Sequence, residues 1–168
     1  MPRGGPAASA HLHDVTDEAR WADIVAEIVA KHGRIDVLVN NAGILLFKDL
    51  GSTTAADLRR VLEVNAVGTF NGMRAVAPHM IRQRSGSIIN NSSCDGISPA
   101  NSLIAYASSK FAVRGLAQSL ARELQPQRKA LHRLFDRHMA EARPHRLLDQ
   151  QRDLRERQGL EPRRFVRR

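Results

Sequence analysis

Ile35-Asp36-Val37-Leu38-Val39-Asn40-Asn41-Ala42-Gly43 decides the fold of this chain: a short apolar, β-branched run breaks off into two asparagines, a small residue and a glycine. Such a run has the pattern of a parallel strand buried on both faces, and Asn-Asn-Ala-Gly has the composition of a turn at its carboxyl end. Before it, Ala10 to His13 reads as the end of another strand. Thr16 is the expected N-cap of a helix reaching about His32, with Asp17 and Glu18 favourable in its first turn and Gly33 ending it. After it, a long helix is expected from Thr53 or Thr54 to about Arg84, kinked around Asn65. Then come a strand over Ser87 to Asn91 and a helix extending to about Glu123. Strand alternating with helix predicts an α/β protein with a parallel sheet, and no internal repeat interrupts it.

The last helix carries Tyr106-Ala107-Ser108-Ser109-Lys110. Residues four apart share a helical face, so Tyr106 and Lys110 point into the same space. A free tyrosine titrates near ~10; an ammonium one turn away favours the phenolate and is expected to lower that value, making the phenol a usable acid or base. Ser93 ends the strand-like run before this helix, where a loop could aim its hydroxyl at the same oxygen, and Asn65 stands 41 residues before Tyr106.

In order, the motifs are His13-Asp14-Val15-Thr16-Asp17, Ile35 to Gly43, Val64-Asn65, Ser92-Ser93 and Tyr106 to Lys110. From about Ala10 to Leu124 the chain resembles the short-chain dehydrogenase/reductase family, with a particular likeness to bacterial hydroxysteroid dehydrogenases and 3-oxoacyl-carrier-protein reductases. The resemblance implies a Rossmann-like, doubly wound parallel sheet and NAD- or NADP-dependent hydride transfer between the cofactor and a small-molecule secondary alcohol or ketone. It implies that Tyr106 is the general acid/base and that Ser93 polarises the carbonyl. By the same resemblance Lys110 is expected to lower the tyrosine pKa and hold the nicotinamide ribose, and Asn65 to hold a relay water through its backbone carbonyl. Asp14 and Val15 are expected to approach the adenine, and Asn41 to line the cofactor cleft. Asp14 could also be a plain helix-start residue, and Asn65 could merely bend its helix.

The family's Thr-Gly-x-x-x-Gly-x-Gly turn does not occur in the sequence, nor does an Ile-Arg-Val-Asn-like strand after Leu124. The expectation is therefore a truncated, incomplete sheet: a two-stranded parallel pair flanked by helices, marginal by itself. The apolar residues Val61, Leu62, Val64, Val67, Phe70, Met73 and Val76 are expected to support homo-oligomerisation, since the resemblance places such helices in a dimer bundle. A non-catalytic remnant acting through helix association is the rival reading.

Composition divides the chain. Residues 1–124 hold 13 Lys/Arg against 11 Asp/Glu, whereas residues 125–168 hold 13 against 6, so the formal net charge of +9 belongs mostly to the tail. The expected organisation is a disordered start (1–9), a partial dinucleotide-binding domain (10–124) and an Arg-rich tail that is disordered or forms short helices (125–168). Arginines that neutralise phosphates make the tail a nucleic-acid candidate. The basic residues form no groove-reading module, however, and an unselected terminus is the favoured reading. His11 and His13 lack a nearby third ligand, so no metal site is expected. Cys94, the only cysteine, permits no intramolecular disulfide and fits a reducing cytoplasm; it reads as a small loop residue rather than a nucleophile. No apolar run approaches membrane-spanning length, and no signal peptide is evident.

Overall fold

The computed structural model describes residues 8–124. The expectations for the basic tail, and for the start before Ala8, fall outside the described residues.

Helix α1 spans Glu18–His32, strand β1 Val37–Asn40, helix α2 Ala55–Leu62, a π-helical turn Glu63–Val67, helix α3 Gly68–Gln83, strand β2 Ser87–Asn90, a 3-10 turn Cys94–Gly96, and helix α4 Ile104–Glu123. The strands pair in parallel, Val37 against Ser87 through Asn40 against Asn90, with α2 and α3 forming the crossover that parallel pairing requires.

Local chemistry sets the boundaries. The carboxylate of Asp17, not the hydroxyl of Thr16, caps α1, accepting the Arg20 N–H at 2.9 Å. Thr16 belongs instead to the preceding turn, its N–H and its hydroxyl both donating to Asp14 Oδ1, each at 2.9 Å. Gly33 closes the helix at φ 75°, a left-handed conformation that glycine adopts without steric cost, and its N–H donates to Val29 O at 2.8 Å. Thr54 caps α2 in a reciprocal box with Asp57, which also holds Lys48 Nζ at 3.0 Å. The kink expected near Asn65 is a π turn rather than a bend, one extra residue accommodated within the helix.

The expected strand at Ala10 to His13 does not form. A strand exists through its ladder, and β1 pairs only with β2 among the described residues. Burial of β1 on both faces is also not observed. Leu38 faces the helices together with Ile88, beside a core of Val25, Ile35, Met73, Val76 and Met80, while Val37 and Val39 on the opposite face are 54% and 56% exposed. Helices α1, α3 and α4 thus cover one face of the sheet and leave the other open. The apolar stripe of the long helix divides in the same way. Val61, Met73 and Val76 are buried, each contributing roughly 1.5–3 kcal/mol by the usual scale. Val67 and Phe70 face outward. No described helix is long and apolar enough to cross a membrane.

Candidate active site

The carboxyl ends of both strands and the first turns of α4 meet at one place. Asn40 and Asn90 face each other across the ladder on the helix-covered side, with Asn40 Nδ2 donating to Asn90 Oδ1 at 2.8 Å. The next residues form a second pair, Asn91 Nδ2 donating to Asn41 Oδ1 at 2.9 Å. The two loops that leave the sheet are thereby tied together where they pass α4.

Lys110 reaches into this junction. Its Nζ donates to Asn91 O at 2.8 Å and lies 5.5 Å from the centroid of the Tyr106 ring, within cation–π range. The residue is only 5% exposed, and this burial lowers the ammonium pKa below its ordinary value. An ammonium has three donors, and among the described residues only one has an acceptor. The hydroxyl of Tyr106, itself half-buried, makes no hydrogen bond to a described residue.

Asn65 is 1% exposed and pins the loop after β1: its Oδ1 accepts the Ile44 N–H at 2.7 Å and its Nδ2 donates to Ile44 O at 2.9 Å. Its backbone carbonyl accepts the Thr69 hydroxyl at 2.7 Å. Gly43 is closely approached here; a Cβ on it would stand 3.2 Å from Asn65 Oδ1 and 3.8 Å from Lys110 Nζ. Asn65, Tyr106 and Lys110 therefore belong to one connected cluster.

Ser93 is held by its own turn. Its Oγ accepts the Asp95 N–H at 3.2 Å and donates to Asp95 Oδ2 at the long distance of 3.3 Å, with no hydrogen bond to Tyr106. Asp95 is buried and also accepts the Ala100 N–H at 2.9 Å, so it fixes the loop leading into α4.

Val15 and Asn41 line a shallow cleft of about 50 Å³ with Trp21, Val39, Ala42, Val64 and Gly68. Val15 O accepts both Trp21 Nε1 at 3.0 Å and Asn71 Nδ2 at 3.2 Å, fastening this loop to α1 and α3. Asp14 is exposed and does not line the cleft. Hydrogen bonds from the backbone and hydroxyl of Thr16 hold its carboxyl below the usual pKa. Among the described residues no group of three His, Cys, Asp or Glu side chains could hold a metal.

Two participants were not evident from sequence. Asn91 contributes a main-chain carbonyl, which leaves no trace in residue type. Ser109 lies inside the Tyr-to-Lys motif, and its spacing, three residues after Tyr106, was the available signal.

A family model for short chain dehydrogenases matches residues 3–130. The chain belongs to the short-chain dehydrogenase family. It is 42% identical over 120 residues to a 3-alpha-(or 20-beta)-hydroxysteroid dehydrogenase of Mycobacterium tuberculosis, a match covering 71% of this chain and 46% of that protein. To a 3-oxoacyl-[acyl-carrier-protein] reductase FabG of Thermotoga maritima it is 44% identical over 114 residues, covering 68% and 46%. Among solved structures, ElxO with NADP bound superposes with a TM-score of 0.68 at 40% identity, covering 71% of this chain and 48% of that one. An NAD+-bound xylitol dehydrogenase superposes with a TM-score of 0.69 at 33% identity, covering 73% and 46%. The chain thus spans about half the length of these relatives.

Proposed function

We propose that residues 8–124 carry the proton-transfer part of an NAD(P)-dependent oxidoreductase acting on a secondary alcohol or its ketone. The observation that carries this reading is the buried Lys110 ammonium, close to the ring of Tyr106 and with two donors unmatched among the described residues. A ribose diol fits those donors, and Val15 and Asn41 would contact an adjoining part of the dinucleotide. When bound, the nicotinamide would supply or accept the hydride.

During reduction Tyr106 donates its phenolic proton to the new alkoxide, a role open to a hydroxyl with no other described partner. Ser93 exchanges its long contact with Asp95 for a hydrogen bond to the substrate oxygen. Lys110 holds positive charge beside the phenol as it loses its proton, and the Asn65 carbonyl holds a relay water. Asn41 lines the cofactor cleft, and Asp14 acts on the adenine side through the loop it shapes with Thr16. Cys94 is a free, exposed thiol, which suits a reducing cytoplasm.

The test is a chimera in which residues 8–124 replace the matching stretch of the mycobacterial hydroxysteroid dehydrogenase. In it, Tyr106→Phe is expected to lower kcat about 10²–10⁴-fold while cofactor affinity stays within a few-fold. Retention of most of the turnover number would remove Tyr106 from this role.

A second property belongs to the same reading, self-association through the long helices. Its support is an open groove of about 320 Å³ between α3 and α4, lined by Phe70, Ala77, Ile81, Leu116, Leu120 and Leu124. Sedimentation of the chain against Phe70→Glu tests it; an unchanged oligomeric state in the variant would exclude Phe70 from any such interface.

A further inference from the structure

We propose that Ser109 is a positioning residue, the joint through which the π turn at Asn65 sets the placement of Tyr106 and Lys110; its catalytic meaning rests on the function proposed above. Ser109 is completely buried (0% exposed). Its hydroxyl donates to Tyr106 O at 2.6 Å and receives Asn65 Nδ2 at 2.9 Å.

The donor and acceptor inventory leaves no freedom here. A serine hydroxyl has one proton, and in this geometry it goes to the Tyr106 carbonyl, so Ser109 can face Asn65 only as an acceptor. Asn65 must then turn its NH₂ toward Ser109, which leaves Oδ1 for the Ile44 N–H on the opposite side. The chain of bonds runs from the first turn of α4, through Ser109 and Asn65, to the Gly43-Ile44 loop against which Lys110 Nζ packs. Three separate segments therefore share one polarity: the Ile44 peptide orients the Asn65 amide, and the Ser109 hydroxyl carries that orientation into α4. This back-bond to the i−3 carbonyl lies between Tyr106 and Lys110, the two side chains whose relation matters.

Alanine at 109 removes the acceptor and leaves Asn65 Nδ2 with only Ile44 O. Both the Asn65 amide and the α4 turn then lose their common reference. Threonine keeps the hydroxyl and adds one methyl.

Tyr106 is the only tyrosine in the chain and Trp21 the only tryptophan, so the ring signals of each assign themselves. In the full chain, Ser109→Ala is expected to displace the Tyr106 ring resonances and shift the Asn65 side-chain amide, while Trp21 emission and the helical circular dichroism stay unchanged. Ser109→Thr is expected to restore both sets of signals toward wild type. A purely structural serine would lower the unfolding temperature without moving the Tyr106 ring, and that result would overturn the proposal. If Ser109→Ala does not fold, the wild-type protein still decides. A nuclear Overhauser contact between the Asn65 side-chain amide and the Ser109 methylene is expected, and its absence would overturn the proposal as well. None of these readouts needs turnover. A catalytically silent Tyr106→Phe chimera would refute the oxidoreductase reading and leave the Ser109 joint standing.

Discussion

Two glycines on helices α3 and α4 should respond to the same substitution with opposite signs. At Gly72 an added Cβ would lie 2.4 Å from Asn40 Oδ1 and 3.1 Å from the Trp21 ring. Asn40 cannot simply withdraw, because its Nδ2 is bonded to Asn90 on the neighbouring strand at 2.8 Å. Overpacking of this kind costs about 1–3 kcal/mol, and losing the Asn40 to Asn90 bond adds about 1. Alanine's better helix propensity returns about 1 kcal/mol, leaving Gly72→Ala destabilised by about 1–3. At Gly115 a Cβ would meet nothing within 4 Å, so there the propensity gain stands alone and Gly115→Ala should stabilise by about 0.5–1 kcal/mol. At roughly 4 °C per kcal/mol for a domain of this size, Gly72→Ala should lose about 4–12 °C and Gly115→Ala gain a few degrees. Thermal and urea unfolding followed by helical circular dichroism gives both numbers, and Trp21 emission should shift only in the Gly72 variant. A Gly72→Ala protein as stable as wild type would refute the close approach of α3 to the sheet.

Other outcomes follow from charge and composition. Asp57 is held down to about 2 by the Thr54 N–H first, then by Lys48 and the Thr54 hydroxyl. A depressed carboxyl contributes stability that is present above its ordinary 3.8 and lost as pH falls through the folded value, so α2 should fray between those limits; carboxyl resonances titrating near 3.8 would contradict this. The buried Lys110 has a lowered pKa, so its charged form costs stability below that value and the cost fades as pH rises toward the ordinary 10.5. Lys110→Met should accordingly melt higher than wild type at pH 7, with the advantage shrinking as pH rises toward 10.5, while the corresponding chimera loses turnover; a lower melting temperature at pH 7 would contradict the burial argument. The sequence has no Thr-Gly-x-x-x-Gly-x-Gly motif, whose charge-assisted phosphate contacts would be worth ~1.5–3 kcal/mol each. Calorimetry should find the chain binding NAD(P)H more weakly than ~1 mM, about −4.1 kcal/mol, and micromolar binding would show another phosphate site.

What the sequence made legible follows from how local each signal is. Tyr106 and Lys110 are one helical turn apart, so periodicity alone places them together, and the β-branched run at Val37 to Val39 announces a strand without help from its neighbours. The helix start was legible only to within a residue, because Asp14, Thr16 and Asp17 all carry capping oxygens and their competition is settled in three dimensions. Ala10 to His13 has the local pattern of a strand end but forms none, because a strand depends on pairing that no local pattern contains. The open face of β1 was missed for the same reason. Asn65 was legible as a break in helical regularity, but its part in the site depends on Ile44 and Ser109, which lie 21 and 44 residues away. The position of Ser93 at the end of its strand is legible, whereas the engagement of its hydroxyl by Asp95 is set by the turn at Cys94 to Gly96. The role of Asn91 passes through its main chain, where side-chain identity carries no information.

The most direct test of the central claim is isotopic. The chimera containing residues 8–124 is supplied with a ketone substrate of its mycobacterial partner and a reduced cofactor carrying deuterium at the transferable nicotinamide position, and the alcohol product is read by mass spectrometry. The account predicts stoichiometric deuterium on the carbinol carbon, lost together with turnover in Tyr106→Phe. A folded chimera that binds cofactor normally but transfers no deuterium would contradict it.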